Sequence, residues 1–225
     1  MILPIDELIN EYKMQIQGCL HIGGHDGGEV ERYYASGISR CILFEPQHHN
    51  FQSCMRVATN RNYETYNIAL GQTEGIVEMY CETNNSGQSS SCLRPKKHID
   101  QYPEIVFDKR ERVYMTTLDK FMSERDDRLD YNFINIDVQG YELEVFKGAR
   151  ETLNQIDYVY SEVNRAELYE NCAMVEELDE FLLNYNFKRV VTSWLGIPRD
   201  PEMGLGTQGT WGDALYIKDK DNVDV

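Results

Sequence analysis

Residues 133–149, FINIDVQGYELEVFKGA, pass from a short apolar strand into an acidic residue, a glycine and an amphipathic helix. In an open α/β sheet, ligands bind in the crevice outside the carboxyl ends of the strands, so an acid at such an end points to a site. Asp137 is the first candidate. The same alternation runs through the amino-terminal half. Strand-like CLHIGG at 19–24 and RCILFEP at 40–46 are each followed by helical periodicity, over Glu29–Ser36 and around Phe51, Met55 and Ala58. A third strand, YETYNIAL, spans 63–70. Strand, helix, strand, helix, strand predicts a parallel sheet with helices on its faces. Ile5, Leu8, Ile9, Tyr12 and Ile16 add an amphipathic first helix over 4–17.

After Gly71 the pattern changes. IVEMYC at 76–81 and RVYMTT at 112–117 read as strands, and between them lies NNSGQSSSCLRPKKHIDQYPE, polar and aperiodic. A segment of that length within a compact domain is expected to act as a lid or binding loop. The alternation resumes with the strand at 131–137, a helix from Tyr141 to about Leu153, the strand IDYVYSEV at 156–163 and a helix facing inward through Val175, Leu178, Phe181 and Leu182. FKRVVTSW and WGDALYIK then form an antiparallel pair around a Gly- and Pro-containing loop. The expectation is one domain over 1–225, with a lid or substrate loop at about 82–110.

Charge narrows the partners. Lys plus Arg number 22 and Asp plus Glu 38, a net charge of −16. Such a field repels phosphate backbones, so a nucleic-acid substrate is not expected. Arg94, Lys96, Lys97 and His98 form the one basic cluster, either solvated loop or a grip for a single anionic group. The amino terminus lacks a secretory pattern, and no apolar run approaches the ~20 residues that span a bilayer. A soluble, cytoplasmic protein is expected. Six cysteines without a CxxC pair read as reduced thiols.

The glycine-rich turn HIGGHDGGE at 21–29 lets a ligand approach the main chain. It is not GxGxxG and lacks a phosphate-binding lysine, which leaves ATP or GTP chemistry without an anchor. Glu45, ending the second strand, stands where an acid accepts both ribose hydroxyls of a nucleoside. Both S-adenosylmethionine and a dinucleotide fit these two elements. An NAD-dependent oxidoreductase stays open as an alternative, although no Tyr-x-x-x-Lys relay is suitably placed, and a catalytically silent nucleoside-binding module is a third reading.

HIGGHDGGE, LFEP, NIALG, SGQSSSCLRPKKH, IDVQGYELEVFKGA and WGDALYIK, in that order, resemble the FkbM family of class I S-adenosylmethionine-dependent methyltransferases. The resemblance runs from about Cys19 to Lys218. It implies a Rossmann-like α/β sandwich: a seven-stranded, mostly parallel sheet with an antiparallel last strand, helices on both faces and the cofactor across the carboxyl edge. Gly23 and Gly24 would lie at the methionine portion, Glu45 at the ribose hydroxyls, and Ala69 and Leu70 near the adenine, with His25, Gly27 and Pro46 also in the cofactor site. Asp137 would stand at the reaction centre. His21 departs from the acidic residue that opens the first motif in many members.

The leading expectation is O-methylation of a hydroxyl on a sugar or glycan, with a polyketide-like acceptor as the alternative. A hydroxyl needs a base or a metal to help it react, and a positioned base typically contributes ~10²–10⁴-fold. Asp137 and Glu162 end adjacent strands and, with Asn164 two residues on, form a possible oxygen-ligand set for Mg²⁺ or another divalent metal. Without a metal, Asp137 orders the cofactor end and Glu162 binds substrate or acts as base. His98 is the other candidate base. Gln88, Ser89 and Ser90 suit a polar ligand, Tyr141 and Glu142 face cofactor or core, and Trp194 and Trp211 could stack on a sugar ring or fill core. Oligomeric state is not legible.

Overall fold

The structure is a computed structural model that describes residues 3–196 and 209–220. Its centre is a seven-stranded sheet in the order β3-β2-β1-β7-β8-β10-β9. The members are β1 (Cys19–Ile22), β2 (Cys41–Phe44), β3 (Glu64–Tyr66), β7 (Phe133–Ile136), β8 (Tyr158–Asn164), β9 (Phe187–Leu195) and β10 (Trp211–Lys218). β1 pairs in parallel with β2 and β7, and β7 with β8. β10 inserts between β8 and β9, antiparallel to both. The last strand therefore runs against the other six, as the family resemblance implied.

β1, β2 and β7, in the sheet interior, are buried at every residue because both faces of the sheet are covered. On one face Leu20, Ile22, Ile134 and Ile136 pack against α5 (Leu118–Ser123), α6 (Glu142–Lys147) and α7 (Val175–Leu183), through Leu118, Val145, Phe146 and Leu178. On the other, Cys19, Leu43, Phe133 and Leu215 meet α1 (Ile5–Tyr12), α2 (Val30–Ala35) and α3 (His48–Thr59), through Ile5, Leu8, Val30, Tyr33 and Cys54. Phe146 is fully buried, so its truncation to Ala would cost about 3–5 kcal/mol. All six cysteines are free thiols.

Three elements differ from their expected extents. Residues 63–70 do not form one strand: after β3 the chain breaks at Asn67 and re-enters as β4 (Ala69–Leu70) in a second, three-stranded sheet, order β4-β6-β5. Asn67 causes the break by donating its side-chain amide to the Glu45 and Pro46 carbonyls, 2.9 Å each. The partners of β4 are β5 (Gly75–Cys81) and β6 (Lys109–Thr116). The first helix stops at Lys13, whose φ of 54° is left-handed and whose N–H bonds the Ile9 carbonyl. α6 stops before Gly148 instead of reaching Leu153, because the chain there presses on Gly71: a Cβ at Gly148 would sit 2.0 Å from the Gly71 carbonyl oxygen. The loop between β9 and β10 lies largely outside the described residues.

Segment 82–110 is not slack. It carries the short helix α4 (Lys97–Gln101), and the Lys96 and His98 amides both bond the Leu168 carbonyl, at 2.8 and 3.0 Å. Bridges Tyr80↔Ser91 and Pro95↔Tyr169 fix its flanks. Among the described residues, no helix is long and apolar enough to cross a membrane.

Candidate active site

The carboxyl ends of β2, β1, β7 and β8 open into a cleft of about 820 Å³. That falls within the range of small-molecule sites. Backbone groups build its first wall. Gly23 and Gly24 both donate to the Phe44 carbonyl, at 3.0 and 2.9 Å, and Asp137 donates to Ile22 at 3.0 Å. Gly23 has φ +91°, and a Cβ there would lie 1.9 Å from the Asp137 carbonyl oxygen. Only glycine fits that crossing.

Glu45 is buried beside this turn. Its two oxygens accept the backbone N–H groups of Gln47 (2.7 Å) and His25 (2.9 Å), so the carboxylate is fixed in place. Burial nevertheless pushes its pKa up to about 7. A carboxylate has about four lone-pair sites, so capacity remains for a diol. His25 lies at the rim with φ 46°, its Nε2 2.7 Å from the Ser86 carbonyl. Pro46, Phe44, Ile68, Ala69, Leu70 and Tyr141 form an apolar wall suited to a flat base. Of the glycines in this turn, Gly23 and Gly28 line the cleft, whereas Gly24 and Gly27 lie outside its lining and pack on α3: their added Cβ atoms would meet Cys54 Sγ at 3.3 Å and Cys54 Cα at 3.3 Å.

Asp137 and Glu162 do come together, one residue beyond the Ile136↔Ser161 pair. Gln139 joins them. Its Nε2 donates to Asp137 Oδ1 at 2.7 Å and Glu162 Oε2 at 2.8 Å, while its Oε1 accepts the Tyr169 hydroxyl at 2.8 Å. Gln139 holds a left-handed φ of 56°, and its carbonyl accepts Ser91 Oγ at 2.8 Å. Strain at a non-glycine residue persists only where surrounding contacts over-determine it, and here they do. Burial, then the neighbouring Asp137, Glu142 and Asp213, raise the Glu162 pKa well above the usual carboxyl range, a shift toward the neutral acid.

A divalent-ion set of Asp137, Glu162 and Asn164 does not assemble. Asn164 is fully buried and does not line the cleft. Glu142 approaches instead, and ligand oxygens of Asp137, Glu142 and Glu162 fall within 4.8 Å of one another. One oxygen of each is already in use: Gln139 bridges Asp137 Oδ1 and Glu162 Oε2, and Glu142 Oε1 accepts the Val138 and Gly140 amides at 3.0 and 3.2 Å. Glu142 holds the turn from within the core, where burial lifts its pKa to about 7.

The far wall comes from distant parts of the chain. Gln88, Ser89 and Ser90 line it, as do His98 and Tyr102. His98 is buried among the Tyr102, Phe107 and Tyr169 rings at centroid distances of 5.0, 5.3 and 5.4 Å. Desolvation drops its pKa to about 4, so the imidazole is neutral. Trp211 faces the cleft and donates Nε1 to the Tyr102 hydroxyl at 2.8 Å, whereas Trp194 packs against the core under the Arg165 guanidinium, 3.6 Å from its ring centroid. His21, Asn135, Tyr160 and Asp213 complete the floor. Asn135 donates to the Tyr33 hydroxyl, His21 Nδ1 lies 3.3 Å from it, and the Tyr160 hydroxyl donates to Asp213 at 2.5 Å.

Against known proteins, the Methyltransferase FkbM domain profile matches residues 21–189. The chain belongs to the FkbM family of class I S-adenosylmethionine-dependent methyltransferases. The 2-O-methyltransferase NoeI of Sinorhizobium fredii is 28% identical over 185 residues, covering 76% of this chain and 75% of NoeI. Two solved structures share the fold. A protein of the NADB-Rossmann superfamily from Streptococcus agalactiae has a TM-score of 0.51 at 10% identity, over 100% of this chain and 72% of its own. Magnesium protoporphyrin IX methyltransferase (ChlM) from Synechocystis PCC 6803, solved with SAM bound, has a TM-score of 0.50 at 6% identity, over 96% of this chain and 76% of its own.

Sequence patterns located the FkbM turn and its strand-end acids. Gln139, Tyr102 and the floor residues Tyr160 and Asn135 were not singled out. Gln139 had a signal, since a polar residue before Gly140 at a strand-to-helix turn can reach back toward the strand end. Tyr102 had none, because its partner Trp211 is 109 residues away.

Proposed function

We propose that this FkbM protein is an O-methyltransferase whose acceptor is a hydroxyl of a sugar or glycan. The observation that carries the reading is the shared cleft. Glu45, fixed by two backbone amides, stands at one end, and the Gln139-bridged Asp137 and Glu162 stand at its centre. These residues fit a nucleoside cofactor: the Gly23 crossing leaves no room for a side chain, and the apolar wall from Phe44 to Tyr141 suits adenine. NoeI supports oxygen as the methylated atom. The oxidoreductase alternative is not carried further, since the family match is to methyltransferases.

When bound, S-adenosylmethionine supplies a methyl group already activated on a sulfonium. The chain's own residues then align the acceptor and remove its proton. Alignment of two reactants can itself supply several kcal/mol of the barrier. Glu162, shifted toward the neutral acid by burial and its acidic neighbours, is suited to hydrogen-bond an acceptor oxygen rather than to take its proton. His98 is a weak base in its desolvated setting, and binds better than it deprotonates. Asp137 is the remaining group at the centre of the cleft placed to accept the hydroxyl proton. Gln139 holds it there, and segment 82–110 forms the acceptor wall.

The test is to incubate the protein with S-adenosylmethionine and a panel of mono- and oligosaccharides, reading formation of the demethylated cofactor together with the mass of the glycan. A gain of one methyl on glycan oxygen is expected. Methylation of nitrogen, or of polyketide-like alcohols alone, would overturn the acceptor assignment.

A further inference from the structure

The carboxyl pair at the centre of the cleft is not held by Gln139 alone. A glutamine side chain ends in a donor and an acceptor of nearly the same shape, so its amide can face the carboxyls either way round. With Nε2 toward them it donates, which suits ionised groups. With Oε1 toward them it can only accept, which suits protonated ones. Whatever meets the far side of the amide therefore decides whether Asp137 is held as a proton acceptor.

That far side meets Tyr169. Its hydroxyl donates to Gln139 Oε1 at 2.8 Å, while Nε2 donates to Asp137 Oδ1 at 2.7 Å and Glu162 Oε2 at 2.8 Å. Tyr169 is fully buried, and its ring lies against the turn: a Cβ at Gly140 would come 3.2 Å from Tyr169 Cδ2. Burial, then the Glu162, Asp137 and Glu142 carboxyls, raise its pKa, so the hydroxyl keeps its proton and stays a donor. The Gln139 main chain is pinned separately, its carbonyl accepting Ser91 Oγ at 2.8 Å. A second observation ties the hydroxyl to the acceptor wall. The Tyr169 oxygen also lies 2.8 Å from the Ser89 carbonyl, yet a hydroxyl has one proton, so the two acceptors compete for it. With that proton on Ser89, the Tyr169 oxygen can only accept, and Gln139 then meets it with Nε2 and turns Oε1 to the carboxyls. Ser89 lines the cleft, and Pro95 of the same segment bridges to Tyr169, so the wall and the carboxyl pair share one hydroxyl.

We infer that Tyr169 is a positioning residue for the methyl transfer: its hydroxyl, shared between Ser89 and Gln139, sets the direction of the Gln139 amide and so keeps Asp137 as the group that takes the acceptor's proton. As the acceptor oxygen gains its methyl group, its hydroxyl proton passes to Asp137, which becomes a neutral acid. The amide then has a protonated partner, and the turned arrangement, with Tyr169 on Ser89, fits it until the proton leaves to solvent. Tyr169 stands behind Gln139 and acts only through it.

The inference rests on the methyltransferase reading, so binding of S-adenosylmethionine to the full chain is measured first by calorimetry. Absence of that binding would sink the function itself. The Tyr169 contact is read separately and needs no acceptor. In protein isotope-labelled at its glutamine side-chain amides and followed by NMR, the signal missing from Gln139→Ala identifies Gln139. Its amide protons should exchange with water at least about tenfold more slowly than those of exposed glutamines, the scale of a hydrogen bond to a charged group. Tyr169→Phe, which keeps the ring and removes the hydroxyl, should abolish most of that protection. In turnover with a glycan acceptor, Tyr169→Phe should lower kcat about tenfold while leaving the cofactor Kd and the acceptor KM within about twofold. In the Gln139→Ala background the same change should cost less than about twofold, because its effect runs through the missing side chain. A wild-type Gln139 amide that exchanges as fast as exposed ones, protection unchanged by Tyr169→Phe, an equal loss of kcat in both backgrounds, or a loss confined to Kd or KM would overturn it.

Discussion

The two ends of the cleft are made of different material. The proposed cofactor end is a matter of main chain: Gly23, Gly24, His25 and Gln47 amides lie in the turns that follow β1 and β2 of one strand-helix-strand unit and fix Phe44 and Glu45. The acceptor end is a matter of side chains. His98, Tyr102, Gln139, Glu162, Tyr169 and Trp211 come from four separate segments and meet only in the folded state. A backbone-built site tolerates almost no change at its crossing points but is indifferent to many side chains around it. A side-chain-built site can be retuned residue by residue, which is how one fold comes to serve many acceptors.

The largest effect is expected at the crossing. Gly23→Ala forces a Cβ against the Asp137 carbonyl in a left-handed backbone, so both ends should fail together. Circular dichroism melting should show a Tm lowered by several degrees, and cofactor binding should vanish. A variant that melts and binds like wild type would break the claim that main-chain approach builds this end.

Next come the central carboxyls, which separate the two ends chemically. Asp137→Asn should reduce turnover by about 10²-fold or more, in the range of a lost general base. Glu162→Gln keeps shape and neutrality, so turnover should stay within about tenfold of wild type. Equal losses in the two variants, measured as kcat, would contradict the assignment of a protonated Glu162.

At the cofactor end, Glu45→Ala should weaken S-adenosylmethionine binding about tenfold or more, the scale of a charged hydrogen-bonding partner. Its pH dependence has a definite sign. The folded pKa of about 7 is above the ordinary 4.5, so the unliganded protein loses stability from this group as pH rises from about 4.5 through 7. Ribose hydroxyls donating to Glu45 favour the carboxylate, so cofactor affinity should rise with pH across that window and binding should release a proton. Glu45→Gln should flatten this component in calorimetry run in buffers of different ionisation enthalpy. An unchanged slope would remove Glu45 from the ribose site.

Smaller effects belong to the acceptor wall. Trp211→Phe, which loses the bond to Tyr102 but keeps a ring, should raise the acceptor KM about tenfold or less while leaving the cofactor Kd unchanged. A shift in cofactor Kd alone would place Trp211 at the wrong end. The smallest effect is expected from chelation: with Gln139 bridging the carboxyls, dialysis against EDTA should leave turnover within about twofold, and loss restored by Mg²⁺ would reinstate a metal in place of the amide bridge.

Legibility in the sequence follows the same division. The strand–helix alternation, the parallel sheet and the turn at Gly23 were readable because they rest on local apolar runs and on glycine, whereas the order of strands across the sheet was not read. Glu45 and Asp137 were readable because each closes a strand. Asn67 was not, since its side chain ends β3 by bonding the chain of a different strand. The same holds for Gln139: its role depends on Glu162 and Tyr169, 23 and 30 residues away, and no periodicity encodes such a meeting. Asn164 was placed near Glu162 by strand alternation, but burial under the following chain removes it from the cleft.

A crystal structure of the protein with S-adenosylhomocysteine bound tests the central claim most directly. The account predicts the ribose hydroxyls on Glu45, the adenine against Ile68 and Leu70, and the sulfur turned toward Asp137 and Glu162. A cofactor whose ribose lies away from Glu45, or whose sulfur points away from the Asp137–Gln139–Glu162 bridge, would contradict it.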